Sequence, residues 1–271
     1  KQQIGEEMHK VAAAYRMFVD QQLRQEENVI AFKQAKHDLR ELQKSLNDKL
    51  NHRLHSASSP NMDYDEWLKS HQPFNWLAEF YQIIEGNHGF DVIIGNPPYV
   101  GYTRKNKETG KAVIEIYRIA SYYKTLPASN LYAFTIERTK DILSIKGKEG
   151  MIIPISAFAN DSMSTLQMFV KEEFGNKWIS TFHQRPAQLF DGVLQRLCIL
   201  LTDCANSNSV FTSGIYRWYS HTRSQLFQNI SYSKEDQTKQ QHIVKVGSTV
   251  ELSIFCLLYT SPSPRDGATS R

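Results

Sequence analysis

The sequence predicts an α/β fold, a sheet of short strands alternating with helices, preceded by long helices. Three observations predict it. Phe90-Asp91-Val92-Ile93-Ile94-Gly95 is a short apolar run that reads as a buried strand, and Asn96-Pro97-Pro98-Tyr99 ends it, because proline cannot donate to a sheet ladder. Residues 151–156, 178–182 and 197–201 are further short apolar runs, separated by stretches of helical spacing. Residues 1 to about 60 carry apolar side chains at three- and four-residue steps, with Lys, Glu and Gln on the other face.

The front end comes first. Ile4, Met8, Val11, Tyr15, Phe18 and Val19 form one stripe, and Leu39, Leu42, Leu46, Leu50 and Leu54 a second. They predict a helical hairpin, or one long helix, with Asn28 at the break and a Ser/Pro linker closing at Pro60. Asp65-Glu66-Trp67-Leu68 predicts the start of a short helix. The aromatic stretch Phe74-Asn75-Trp76 to Phe80-Tyr81 predicts packing at a core edge. Gly86-Asn87-His88-Gly89 is a turn into the Phe90 strand.

Beyond that strand, residues 102–111 form a polar, basic loop with Arg104, Lys105, Lys107 and Lys111. It suits phosphate contact or simple solvation. Residues 113–123 have helical spacing, with Tyr117, Tyr122 and Tyr123 as packing residues. Asn130 is a good N-cap for a helix over 131–144. Residues 146–150 predict a turn into the next strand, and Pro154 marks that strand's exit. Asp161 or Ser162 is expected to cap a helix carrying Leu166, Phe169 and Val170. Residues 206–209 are a linker, and Tyr216-Arg217-Trp218-Tyr219 with Arg223 mixes basic and aromatic groups.

Composition bounds the rest. The chain has 271 residues, 41% of them hydrophobic, enough for one large domain or one and a half. No apolar run approaches the roughly 20 residues that cross a bilayer. A net charge of +4 permits nucleic acid without arguing for it. The three cysteines, Cys198, Cys204 and Cys256, have no metal-ligand spacing, and the nine histidines form no zinc arrangement, so no metal is expected. A reducing cytoplasm fits. The chain opens on Lys, with no secretory signal, and is expected to begin inside a longer protein. Residues 256–266 resemble a translated sequencing adapter, and 256–271 are set aside as a non-native tail.

The strand exit carries the chemistry. Pro97 and Pro98 have no N–H, so this turn presents carbonyl oxygens, and the Asn96 carboxamide adds another acceptor. Two rigid acceptors side by side can hold both hydrogens of a planar NH2 group. That draws the nitrogen lone pair out of conjugation and makes it a nucleophile. Tyr99 supplies a flat face for stacking.

Asn96-Pro97-Pro98-Tyr99 after an apolar strand resembles the signature of S-adenosylmethionine-dependent DNA adenine-N6 methyltransferases, of the large restriction-modification (type IIG-like) or phage-defence class. The resemblance runs from Phe74-Asn75-Trp76 to about residue 230. It implies the C-terminal half of a Rossmann-like class I methyltransferase sheet over 61–205. Residues 206–255 would be a linker and the start of a target-recognition domain. It implies that Asn96, Pro97 and Tyr99 are catalytic, and that Asn96, Pro98 and Phe134 touch the cofactor. Phe134 has an ordinary core phenylalanine as its alternative. Gln188-Leu189-Phe190-Asp191-Gly192-Val193 resembles the family's late motif, so Phe190 packs on the target base or is a buried turn residue. Arg104 and Lys105 would meet DNA phosphates.

The family's glycine-rich cofactor loop is missing from this chain, which is therefore expected to be inactive alone. Double-stranded DNA is the implied partner, with a fused or associated nuclease or defence subunits, in a prokaryotic or phage-encoded cytoplasmic enzyme. Methylation of a protein glutamine amide or of cytosine N4 stays open. So does a non-catalytic DNA-binding subunit with a relic site.

Overall fold

In the computed structural model, which describes residues 2–23, 29–103, 105, 107–108, 110–112, 123–190, 192–235 and 243–260, the two front-end stripes form α1 (Gln2–Leu23) and α2 (Val29–Ser58). Phe18 meets Phe32 at one end and Glu7 pairs with Lys49 at the other, so the helices are antiparallel. Met8, Val11 and Ala12 bury against Leu39 and Leu46. Asn28 lies outside the described residues.

Asp63 caps α3 (Tyr64–His71) by accepting from the N–H groups of Asp65 and Glu66. Trp67 is buried among His55, Tyr64 and His71. Asn75 precedes the one-turn α4 (Trp76–Glu79) and ties it to α2: its Nδ2 donates to Asn47 Oδ1 at 2.9 Å and Asn51 Oδ1 at 2.8 Å. Both hydrogens of that amide are used, so a Leu there would leave two buried-side acceptors without a donor. A π-turn (Gln82–Gly86) follows, and Gly89 takes φ = 120°, which a side chain would resist. These elements form one compact unit, Lys1–Phe90, and Asp91–Arg271 form another.

The second unit is a mixed α/β layer. Its strands are β1 (Phe90–Gly95), β2 (Leu143–Pro154), β3 (Asn176–Phe182), β4 (Leu197–Asp203), β5 (Ser209–Tyr216) and β6 (Ser233–Lys234). They lie in the order β1-β2-β4-β3-β5-β6. β4 is antiparallel to both β2 and β3, β5 is parallel to β3, and β6 is antiparallel to β5. α5 (Leu131–Ile142) leads into β2, and α6 (Ser164–Glu173) into β3. Tyr132, Ile136, Ile153, Phe158, Leu166, Ile179 and Leu200 form the core, each fully or almost fully buried. Burying one such side chain contributes roughly 1.5–3 kcal/mol.

Several expectations need correction. Among the described residues β1 is an edge strand, and it is not buried: Val92 is 59% and Ile94 80% exposed. An apolar run shows what a strand tolerates on its faces, not what covers them. Residues 146–150 are strand, not turn: Lys148, Glu149 and Gly150 pair with Asp203, Thr202 and Leu201. Helix α5 passes into β2 with no loop between. Asn160, not Asp161 or Ser162, accepts the capping bond, from the Ser162 N–H, ahead of the turn leading into α6. These corrections aside, a last helix, α7 (Thr249–Thr260), runs into residues 256–260; 261–271 lie outside the described residues. Among the described residues no helix is long and apolar enough to cross a membrane.

Candidate functional site

Two contacts set the position of the Asn-Pro-Pro-Tyr turn. Gly150 on β2 lets β1 close in: a Cβ there would stand 2.9 Å from Ile94 Cγ2. After the turn, Gly101 bridges to Asn130, and the Leu131 N–H donates to Val100 O at 2.9 Å, so the start of α5 holds the exit of the motif.

Within the turn, Pro97 is buried while Asn96 and Pro98 are exposed. The Tyr99 hydroxyl lies 2.6 Å from Asn96 Oδ1 and 2.8 Å from Ile152 O. It has one hydrogen to share between these acceptors. Burial pushes its phenol above the usual value, so it remains a donor at neutral pH. An amide oxygen has two lone pairs. The Tyr99 contact occupies one and leaves the other on an exposed carboxamide whose orientation is set. The Tyr99 ring meets the buried Tyr132 edge-on, with 6.5 Å between centroids.

Beside this turn opens a cleft of about 560 Å³, walled by Tyr99, Asn130, Tyr132, Ser156, Gln184 and Arg196 among others. Asn130 stands at the N-cap position of α5, as expected, but its side chain makes no cap bond. Its Oδ1 is instead buried without a hydrogen-bond partner. An orphaned acceptor at a cleft wall is a feature that a bound donor would satisfy. Sequence reasoning assigned Asn130 to capping and missed this. It also missed Gln184 and Arg196, which carry no local signal, because they come from the two ends of the β3–β4 loop.

The other expected site residues fall as follows. Phe134 is buried between Tyr102, at 5.4 Å, and Tyr123, at 4.9 Å, and does not line the cleft. Phe190 is 36% exposed on the β3–β4 loop, and no ring contact among the described residues joins it to Tyr99. That loop reaches the cleft through Leu194, Gln195 and Arg196. Lys105 is exposed and bridges to Ala112. Arg104, Tyr117 and Tyr122 lie outside the described residues. Cys198 is buried; its thiol faces Pro154 O and is pushed up by burial, as suits a core residue and not a nucleophile.

With this geometry in place, residues 7–190 match the Eco57I restriction-modification methylase family, and the chain belongs to that family. It is similar to the type II restriction enzyme and methyltransferase RM.Eco57I of Escherichia coli, 31% identical over 124 residues, which is 45% of this chain and 12% of that protein. RM.MjaORFECS2P of Methanocaldococcus jannaschii is 29% identical over 159 residues, 59% of this chain and 12% of that protein. The chain thus spans about an eighth of the length of these relatives. A nuclease-deletion mutant of the Type ISP restriction-modification enzyme LlaGI, in complex with a DNA substrate mimic, aligns with a TM-score of 0.47 at 16% identity, over 79% of this chain and 23% of its own.

Proposed function

We propose that this chain forms the target-amine side of a DNA methyltransferase that modifies N6 of an adenine swung out of the duplex. The parent enzyme would be a restriction-modification or phage-defence enzyme acting on double-stranded DNA. The observation that carries this reading is the Asn96 carboxamide, exposed at a proline-stiffened strand exit with its oxygen held by the Tyr99 hydroxyl. The strand order, with antiparallel β4 between β2 and β3, supports a Rossmann-like class I sheet continued here by its C-terminal half.

The chain's own groups do the following. The free lone pair of Asn96 Oδ1 and the Pro97 carbonyl accept the two N6 hydrogens. This turns the nitrogen lone pair out of the purine π system. The Tyr99 ring supports the base, and its hydroxyl keeps the Asn96 amide from flipping. Phe190 closes on the other face of the base as the β3–β4 loop folds in, and Arg104 and Lys105 meet backbone phosphates. Positioning and fixed dipoles supply the acceleration; unstacking the base costs a few kcal/mol.

S-adenosylmethionine, when bound, supplies an activated methyl on a sulfonium centre. Exposed Asn96 and Pro98 fit a neighbour of that kind. Phe134, enclosed by Tyr102 and Tyr123, fits less well, and we assign it to packing.

The test is methyl transfer from labelled S-adenosylmethionine to duplex DNA by the protein that carries this chain, followed by nucleoside digestion. N6-methyladenine is expected. Asn96→Ala should lower the rate by a factor on the order of 10² to 10³, by analogy with removing one polar group from a preorganised site, with unchanged circular dichroism. Label in cytosine or in protein glutamine would overturn the assignment, as would an active Asn96→Ala variant.

A further inference from the structure

β3 and β5 run parallel and end in register, Phe182 opposite Tyr216. The chain therefore leaves the sheet twice at one place, and His183 and Arg217 emerge side by side at the carboxyl ends of parallel strands, where ligands of α/β sheets gather. Two backbone bonds keep the exits together: His183 N–H to Tyr216 O at 2.8 Å, and Ala187 N–H to Trp218 O at 3.1 Å. Between them lies a second hollow of about 750 Å³, walled by His183, Arg185, Arg217 and Tyr219 among others. It shares two walls, Gln184 and Leu194, with the cleft beside Tyr99. The hollows are contiguous, and no carboxylate lines either among the described residues.

The cations divide by partner. Arg223 is engaged: its guanidinium donates to Leu189 O at 3.0 Å and Gln188 O at 3.4 Å and lies over the buried Trp218 ring. It braces the loop. Arg185, Arg196 and Arg217 are exposed, and among the described residues no carboxylate pairs with them. Tyr219 is exposed at the rim. Three exposed guanidinium groups along two contiguous hollows, with an aromatic at the rim of one, suit a polyanion that carries planar bases.

We propose that this groove holds the phosphate backbone of the target DNA strand next to the extruded base, with Arg185 and Arg217 as phosphate ligands and Tyr219 as a stacking platform. The proposal rests on the methyltransferase reading for the identity of the strand, but its test does not require methyl transfer.

The test is fluorescence anisotropy of the full protein with a labelled DNA duplex containing one mismatched adenine, over a range of salt. The paired change Arg185→Gln and Arg217→Gln should weaken binding by about tenfold or more near 0.1 M salt and lower the salt slope by about 1.8, the signature of two lost phosphate contacts. Both side chains are exposed, and circular dichroism should show the variant folded. Asn96→Ala should lose methyl transfer and keep the wild-type slope. An unchanged slope in the paired variant would overturn the groove while leaving the Asn96 chemistry intact. An inactive wild type with the slope change still present would sink the Asn96 chemistry and leave the groove. Tighter binding of an RNA duplex of the same sequence would overturn the assignment to DNA.

Discussion

Glu149 gives the protein a stability that falls as pH rises, and replacing it with Gln should remove that dependence. The side chain is 2% exposed on β2. Burial raises its carboxyl to about 7 from an ordinary 4.5, against smaller opposing effects from the Thr139 and Thr202 hydroxyls and the Lys140 charge. Desolvation of the charge outweighs the hydrogen bonds that the Thr139 and Thr202 hydroxyls offer to the two carboxyl oxygens. Thr139 Oγ1 lies 2.6 Å from Glu149 Oε1 and 2.8 Å from Ile136 O. With the acid protonated, Glu149 donates to Thr139 and Thr139 to Ile136 O. When it is ionised, one of these bonds is lost, because the threonine has a single hydrogen. The folded-state value lies above the unfolded one, so the stabilisation is full below about 4.5 and disappears as pH rises through about 7. The gap between the two values corresponds to roughly 3 kcal/mol, most of which is lost between pH 5 and 8. Urea unfolding followed by tryptophan fluorescence, at both pH values, reads this directly. Glu149→Gln should match the wild type near pH 5 and exceed it by about 2 kcal/mol at pH 8. Identical pH slopes for the two proteins would refute a buried neutral acid.

Two further outcomes follow from the site. Tyr99→Phe keeps the ring but frees the Asn96 amide and leaves Ile152 O without this donor; kcat should fall about tenfold or more with KM little changed, and a wild-type kcat would show that the hydroxyl does not hold Asn96. In isothermal titration, the 271-residue chain should bind S-adenosylmethionine only weakly, because no Gly-x-Gly cofactor loop follows a strand in this sequence; tight binding by this chain would refute that expectation.

The alternation of apolar runs with helical spacing was enough to place β2, β3 and β4, with α5 ahead of β2 and α6 between β2 and β3, because burial on one or both faces writes its period into the sequence. The stripes of α1 and α2 were legible for the same reason. The Asn96 turn was legible because a proline's missing N–H is a local fact that no packing can change. Polar strand ends were not: Lys148 and Glu149 look like a turn until Asp203 and Thr202 stand opposite them. Nor was the unsatisfied Asn130 oxygen, since a capping residue and a cleft wall have the same local sequence.

Sequence by itself therefore determined the fold class and the proline-stiffened corner at Asn96, both of which depend on neighbours within a few residues. Tertiary structure alone decided that the Tyr99 hydroxyl is also held at Ile152 O, that β1 lies at the sheet edge among the described residues, and that Arg185 and Arg217 share a groove while Arg223 does not. These depend on strand order and register, which join positions 30 or more residues apart through contacts that no local pattern records.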